Sequence, residues 1–160
     1  MKKYKIYKLG KTITGTTPPT NDCRNYCNNN YQFVTPSDIK TQRYVTNTER
    51  YISKYAFYNL KSRQLHHNDI AIDCIGSDMG NVAIIVKDCI SNQQITSITE
   101  INQDIVSPLY LYYLFSTKKL YFHQIGTCGS TMPIISKALF DKIEINIHEL
   151  SDQQHIVNTR

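Results

Sequence analysis

Short runs of β-branched and aromatic residues, separated by Gly, Asp and Asn, set the pattern of the chain. Tyr31-Gln32-Phe33-Val34, Ile70 to Ile75, Val82 to Val86 and Gln94 to Ile101 each read as a strand, because such side chains suit a pleated, buried surface. From Asp141 to Ile147 polar and apolar residues alternate strictly, which sets Ile143, Ile145 and Ile147 on one face of a half-buried strand. Helices show different signals. Ser107 suits the amino-terminal cap, Pro108 suits the first helical position, and the unbroken stretch Leu109 to Gln124, ending at Gly126, predicts one long helix. Lys54 to Leu60 and Ser136 to Phe140 predict shorter helical turns, and Ser151 to Val157 opens a final helix that reads as a truncated beginning.

Between these elements, Gly15 to Asn30 and Lys40 to Glu49 are long, polar and without periodicity, and long ordered loops are more often functional than decorative. No internal repeat and no linker divides the chain. At 160 residues it fits one domain, and its 41% hydrophobic content supplies enough apolar side chain to order a core.

Charge alters this picture only slightly. The formal charge is +5, but with 19% charged residues the excess reflects few acids rather than basic tails. Such a bias permits a nucleic-acid partner, and it serves solubility equally well. No apolar run is long enough for a membrane span or a signal-peptide core, so a cytoplasmic protein without membrane attachment is expected. Cys23, Cys27, Cys74, Cys89 and Cys128 are an odd set, better read as reduced thiols than as a disulfide framework.

Candidate chemistry is sparse. No nucleophile, base and oxyanion residues stand at recognisable spacing. Gly76-x-x-x-Gly80 lacks the third glycine and the acidic residue of a dinucleotide fingerprint, and it reads as a turn between strands. Cys23-x-x-x-Cys27 with His66-His67 offers zinc-type ligands without the second close pair that a finger needs. His123, inside the expected long helix, reads as a partly buried structural histidine. Catalytic residues, metal and cofactor are therefore all expected to be none.

The stretch Lys40 to Arg63 is more informative. Lys40, Arg43, Arg50, Lys54, Lys61 and Arg63 interleave with Tyr44, Tyr51, Tyr55 and Tyr58, so cations able to hold phosphates alternate with flat rings carrying hydroxyl donors. A solvated helix face with tyrosines packed inward gives the same pattern. Gln42, Asn47, Asn92, Gln93 and Gln94 add amides that can pair with adenine or simply shape turns.

Five segments, taken in order, resemble the target-recognition domains of type I restriction specificity subunits. They are Leu9-Gly10 with Gly15-Thr16-Thr17-Pro18; Tyr31 to Val34 running into Thr35-Pro36-Ser37-Asp38-Ile39; Gly76 to Ala83; Ser91-Asn92-Gln93-Gln94-Ile95; and Gly129 to Ser136, continuing through Ile143 to Ile147 into Leu150 to Ile156. Each motif is common by itself, whereas five in sequence cover nearly the whole chain. Two departures stand out: a tryptophan often found before the opening motif is absent, with Tyr4 or Tyr7 in its place, and His148-Glu149 replaces the prolines that often precede the final helix.

The resemblance implies a single globular α/β (α+β) domain with a mixed, strongly curved sheet, flanking helices and long loops. Residues 1–150 would be the DNA target-recognition domain, and 151–160 the beginning of a conserved spacer helix. It implies a non-enzymatic reader of one half of a bipartite duplex site, acting with the modification (methyltransferase) and restriction subunits of the complex. The candidate DNA contacts are Thr14, Gly15, Thr16, Thr17, Lys40, Gln42, Arg43, Tyr44, Lys54, Ser77, Ser130 and Lys137, with Arg43 the foremost base reader and Asn92 and Gln93 as supports. Two other readings stay open at this point: a recognition-domain fragment of a DNA methyltransferase, and a protein-interaction module.

Overall fold

A computed structural model describes residues 1–128 and 131–160. In chain order its elements are β1 (Lys2–Lys5), β2 (Lys11–Thr14), β3 (Tyr31–Val34), α1 (Pro36–Thr41), β4 (Tyr44–Val45), β5 (Arg50–Ile52), α2 (Lys54–Asn59), β6 (Ile70–Asp73), β7 (Val82–Ile85), β8 (Cys89–Ser91), β9 (Ile95–Thr99), α3 (Pro108–Ser116), α4 (Lys119–Gly126), α5 (Lys137–Lys142), β10 (Glu144–Ile147) and α6 (Leu150–Asn158). Among the described residues the strands form three sheets, ordered β1-β10, β2-β9-β6-β7-β4 and β5-β3-β8. The mixed sheet is thus divided. Parallel pairing occurs where β4 meets β7 and β3 meets β8, and the other pairings are antiparallel.

The unbroken apolar runs of β6 and β7 follow from burial on both faces. Ile70, Ile72, Val82 and Ile84 enter one cluster with Phe115, Phe122 and Phe140. Ala71, Ala83 and Ile85 enter a second with Val34, Ile39 and Val45 on the other side of the sheet. Phe33, Ile52 and Ile90 from the three-stranded sheet form a third cluster beneath Ala56 and Phe57 of α2. Strand β10 shows the expected alternation, exposed at Glu144 and Asn146 and buried at Ile145 and Ile147. It is shorter than expected, because Ser136 caps α5 and that helix runs on through Asp141 and Lys142.

The expected helix from Leu109 to Gln124 is two helices. Ser107 accepts the Tyr110 N–H and Pro108 occupies the first turn as anticipated, but α3 ends at Ser116. The Ser116 hydroxyl donates to the Tyr112 carbonyl at 2.8 Å and the Thr117 hydroxyl to the Leu114 carbonyl at 2.7 Å. Hydroxyls competing for helix carbonyls loosen the ladder. The chain turns at Thr117–Lys118, and Phe122 then meets Phe115 edge to face with centroids 5.5 Å apart. Burial of these rings on the central sheet rewards the corner more than helix continuity would.

The polar segment 35–49 is organised by one acid. Asp38, only 4% exposed, accepts the Thr35 N–H at 2.8 Å, the Thr35 hydroxyl at 3.0 Å and the Glu49 N–H at 3.1 Å. It both caps α1 and draws the far end of the loop back to it. Gln42 completes the closure, donating to the carbonyls of Asp38 and Asn47 and accepting from the Thr46 and Asn47 N–H groups. Asp38→Ala is expected to destabilise the fold by about 1–3 kcal/mol, since it removes three part-buried bonds that together close the loop. The exposed Ser37→Ala should change stability by under about 0.5 kcal/mol. Urea unfolding of both variants checks the pair; equal stability would show that the Asp38 bonds do not organise the loop.

Candidate nucleic-acid interface

Three elements enclose a polar cleft of about 260 Å³: the end of α1 with its following residues, the turn between β6 and β7, and the junction of α3 with α4. Pairing of β4 with β7 fixes the first wall, where the Arg43 carbonyl accepts the Ile84 N–H at 2.7 Å. The second wall is the turn Gly76–Gly80, which joins antiparallel strands as the sequence suggested. Gly80 has φ +91, and a Cβ there would lie 3.0 Å from the Cα of Lys119, so only glycine lets the start of α4 close over the turn. The corner at Thr117–Lys118 supplies the third wall.

Lys40, Arg43 and Lys119 line this cleft with Asn81, Tyr112 and Ser116. Lys40 Nζ lies 3.2 Å from Asp78, and Lys119 Nζ donates to Asn81 Oδ1 at 2.8 Å. The Arg43 guanidinium lies over the rings of Tyr112 and Tyr113, 5.7 and 5.1 Å from their centroids. Rings hold a cation without neutralising it. Elsewhere Arg24 lies over Tyr55, Arg50 over Phe33 and Lys54 over Tyr58.

Behind the cleft, Asp73 Oδ2 and Asn81 Nδ2 are buried without a hydrogen-bond partner among the described residues. Their residues are joined through the backbone, the Asp73 N–H donating to the Asn81 carbonyl at 2.9 Å. Burial pushes the Asp73 carboxyl up to about 6, aided by the charge of Asp78 and opposed by the Ile75 N–H. Asp69 is likewise pushed up to about 6 by burial, against the His66 N–H it accepts. Burial also pushes the Cys74 thiol up to about 12 and raises Cys89, so both are inert thiols.

The expected contact residues fall into separate places. Lys40, Gln42 and Arg43 meet at the cleft, with exposed Tyr44 next in the chain and exposed Ser77 on the turn beside Asp78. Gln42 has both ends of its amide engaged within its own loop and acts as scaffold. Thr14 to Thr17 lie against residues 91–95: the Gly15 N–H donates to Ile95, the Thr16 N–H to Ser91, and the Thr17 hydroxyl to Gln93 at 2.6 Å. A Cβ at Gly15 would fall 2.1 Å from the Asn92 carbonyl, so this glycine is required for packing. Lys54 sits on α2, while Lys137 pairs with Asp141 at 3.0 Å on α5. Ser130 lies outside the described residues.

The basic, tyrosine-rich stretch is therefore divided between the cleft and the surface around α2. Asn92 supports a turn, its Oδ1 accepting the Gln94 N–H at 3.1 Å. His123 is half-buried in α4. Cys23 and Cys27 are exposed, His66 bonds Asp88 at 2.8 Å, and among the described residues no three His, Cys, Asp or Glu side chains are grouped to hold a metal ion. Lys119, Asn81 and Tyr112 were not among the expected residues; the Ser116-Thr117 pair that ends α3 was the available signal for the corner that places Lys119. A second, apolar hollow of about 490 Å³ lies between α4 and α5, lined by Tyr121, Ile125, Ile134 and Leu139.

The family model for the type I restriction modification DNA specificity domain matches residues 1–159. The chain belongs to that family. It is 30% identical over 156 residues to the type I restriction enzyme MjaIX specificity subunit of Methanocaldococcus jannaschii, covering 95% of this chain and 35% of that protein. The specificity domain shares its fold with the S subunit of a type I restriction-modification system from M. genitalium, at a TM-score of 0.70 and 15% identity over 99% of this chain and 37% of that one. The HsdS subunit from Thermoanaerobacter tengcongensis gives a TM-score of 0.70 at 14% identity, over 99% and 35% of the two chains. These likenesses establish a mixed α/β fold for the specificity domain, which spans about a third of the length of those relatives.

The buried acids give this specificity domain an unusual pH dependence. With folded values near 6 against about 4 in an unfolded chain, the fold binds more protons across that interval, so their contribution to stability falls as pH rises from 4 through 6. Asp73→Asn is expected to raise the melting temperature relative to wild type at pH 8, with the gain shrinking towards pH 5. A gain that is the same at both pH values would show that Asp73 is not held protonated by burial.

Proposed function

We propose that this chain reads one half of a bipartite duplex DNA site for a type I restriction-modification complex, with no chemistry of its own. The observation that carries the proposal is the convergence of Lys40, Arg43 and Lys119 on one cleft, with Asp78 paired to Lys40 alone, in a chain that matches a DNA specificity domain almost from end to end. Arg43 makes no side-chain hydrogen bond to any described residue, so its donors are available to an incoming ligand.

Cations hold phosphates, while side chains on the neighbouring loops read base edges. Tyr44 and Ser77, both exposed beside the cleft, are the readers this arrangement favours, and Thr14 to Thr17, Lys54 and Lys137 serve more distant stretches of the duplex. Modification and cleavage would come from the methyltransferase and restriction subunits, in the cytoplasm; among the described residues no helix is long and apolar enough to cross a membrane.

On this reading residues 1–150 form the recognition domain and 151–160, which carry most of α6, correspond to the beginning of the spacer helix. That helix is docked rather than trailing: Gln153, 1% exposed, accepts the Ser107 N–H at 2.9 Å and donates to the carbonyls of Ile105 and His148, both at 2.8 Å. Its direction is set by the domain.

Selection from a pool of random duplexes is expected to return one short preferred sequence. Affinity for it should fall as salt rises, with on the order of three to five ions released. Failure to bind any duplex at low salt would refute the reading and leave the apolar hollow as the surface to pursue.

A further inference from the structure

We propose that the cleft between α1, the Gly76–Gly80 turn and the start of α4 is a backbone-phosphate site, with Arg43 and Lys119 as its principal ligands and Asp78 as the built-in carboxylate that a phosphate displaces from Lys40. The inference rests on the DNA reading and assigns this cleft to anchoring rather than to base recognition.

Shape is the first argument. The cleft is recessed between three elements. Base edges lie on the floor of a groove, and reaching them takes a protruding helix, strand or loop. A hollow on the protein meets instead the outermost groups of the duplex, which are its phosphates.

Donor chemistry is the second. The cleft offers the guanidinium of Arg43 and the ammonium groups of Lys40 and Lys119, with the Asn81 Nδ2 buried behind them. The three cations are all donors, and they converge from separate elements around a volume rather than along a plane. An acceptor-only tetrahedral group satisfies such a set, whereas a flat base edge does not.

Positioning is the third. Tyr112 and Tyr113 brace the Arg43 guanidinium, and the Ile84 N–H holds its backbone. Lys119 opens α4 directly above Gly80 and is steadied by Asn81 Oδ1. Lys40 contacts both oxygens of Asp78 at 3.2 Å, the arrangement that a phosphate would take over.

The test is a titration of the selected duplex and a scrambled duplex against wild type, Arg43→Gln, Lys119→Gln and Asp78→Asn over a range of salt. For a phosphate site, the first two variants should lose roughly tenfold on both duplexes alike, and the slope of log affinity against log salt should fall by about one. Asp78→Asn should gain on both. A loss confined to the selected duplex, at one base position and with the salt slope unchanged, would make Arg43 a base reader and overturn the proposal. A parallel NMR titration with pyrophosphate separates this proposal from the DNA reading. Shifts at the Gly80 amide and the Asn81 side-chain amide, lost in the Arg43→Gln, Lys119→Gln double variant, would sustain the phosphate site even if no duplex bound. Their absence from the wild type would overturn it.

Discussion

The buried carboxylate of Asp38 ties together a segment that has almost no apolar content of its own. Residues 35–49 contribute little more than Ile39 and Val45 to the core, so hydrophobic burial alone does not fix their path. Three charge-assisted bonds from the Thr35 and Glu49 ends to one acid do so, and Gln42 closes the interior of the loop. The position of Lys40 and Arg43 depends on that closure, as does the short β4 that locks the segment to β7. Without it one wall of the cleft has no defined place.

The opposite wall depends on a second constraint, the close approach of α4 to Gly80. That approach requires the corner after α3, which the Phe115, Phe122 and Phe140 rings stabilise by packing on the central sheet. Hydrophobic burial thus sets the Lys119 side of the cleft and polar closure sets the Arg43 side. Of the cations between them, Arg43 is braced by the rings of Tyr112 and Tyr113, Lys119 by an amide oxygen and Lys40 by the Asp78 carboxylate. Each ring contact of Arg43 contributes only about 0.5–1 kcal/mol at an exposed site, yet it leaves the positive charge undiminished for a partner. A surface ion pair of similar strength would cancel it.

Much of this was legible in the sequence. The runs at β3, β6, β7 and β9, the Ser107-Pro108 start of α3, and the glycine turn all carry local signals, and the ordered motifs point to the family. Strands β1 and β2 were not legible, because they are polar edge segments whose partners, β10 and β9, lie far along the chain. The break between α3 and α4 had only the weak signal of Ser116-Thr117, since no Pro or Gly marks it and tertiary packing of aromatic rings holds the corner. Arg43 could be singled out from its polar surroundings; its position over Tyr112 and Tyr113 could not. Lys119 and Asn81 stand 38 residues apart and meet only through the fold. Gln42 shows the converse case, a residue of the right type for reading adenine whose amide is already engaged within its own loop.

Hydrogen–deuterium exchange of the whole chain, with and without the selected duplex, tests most directly whether DNA engages the cleft face. Amides in residues 38–49, 78–82 and 112–119 are expected to exchange more slowly in the complex, with those around Ile134 and Leu139 and along α6 unchanged. Protection confined to the hollow between α4 and α5, with the cleft segments exchanging as in the free chain, would contradict it.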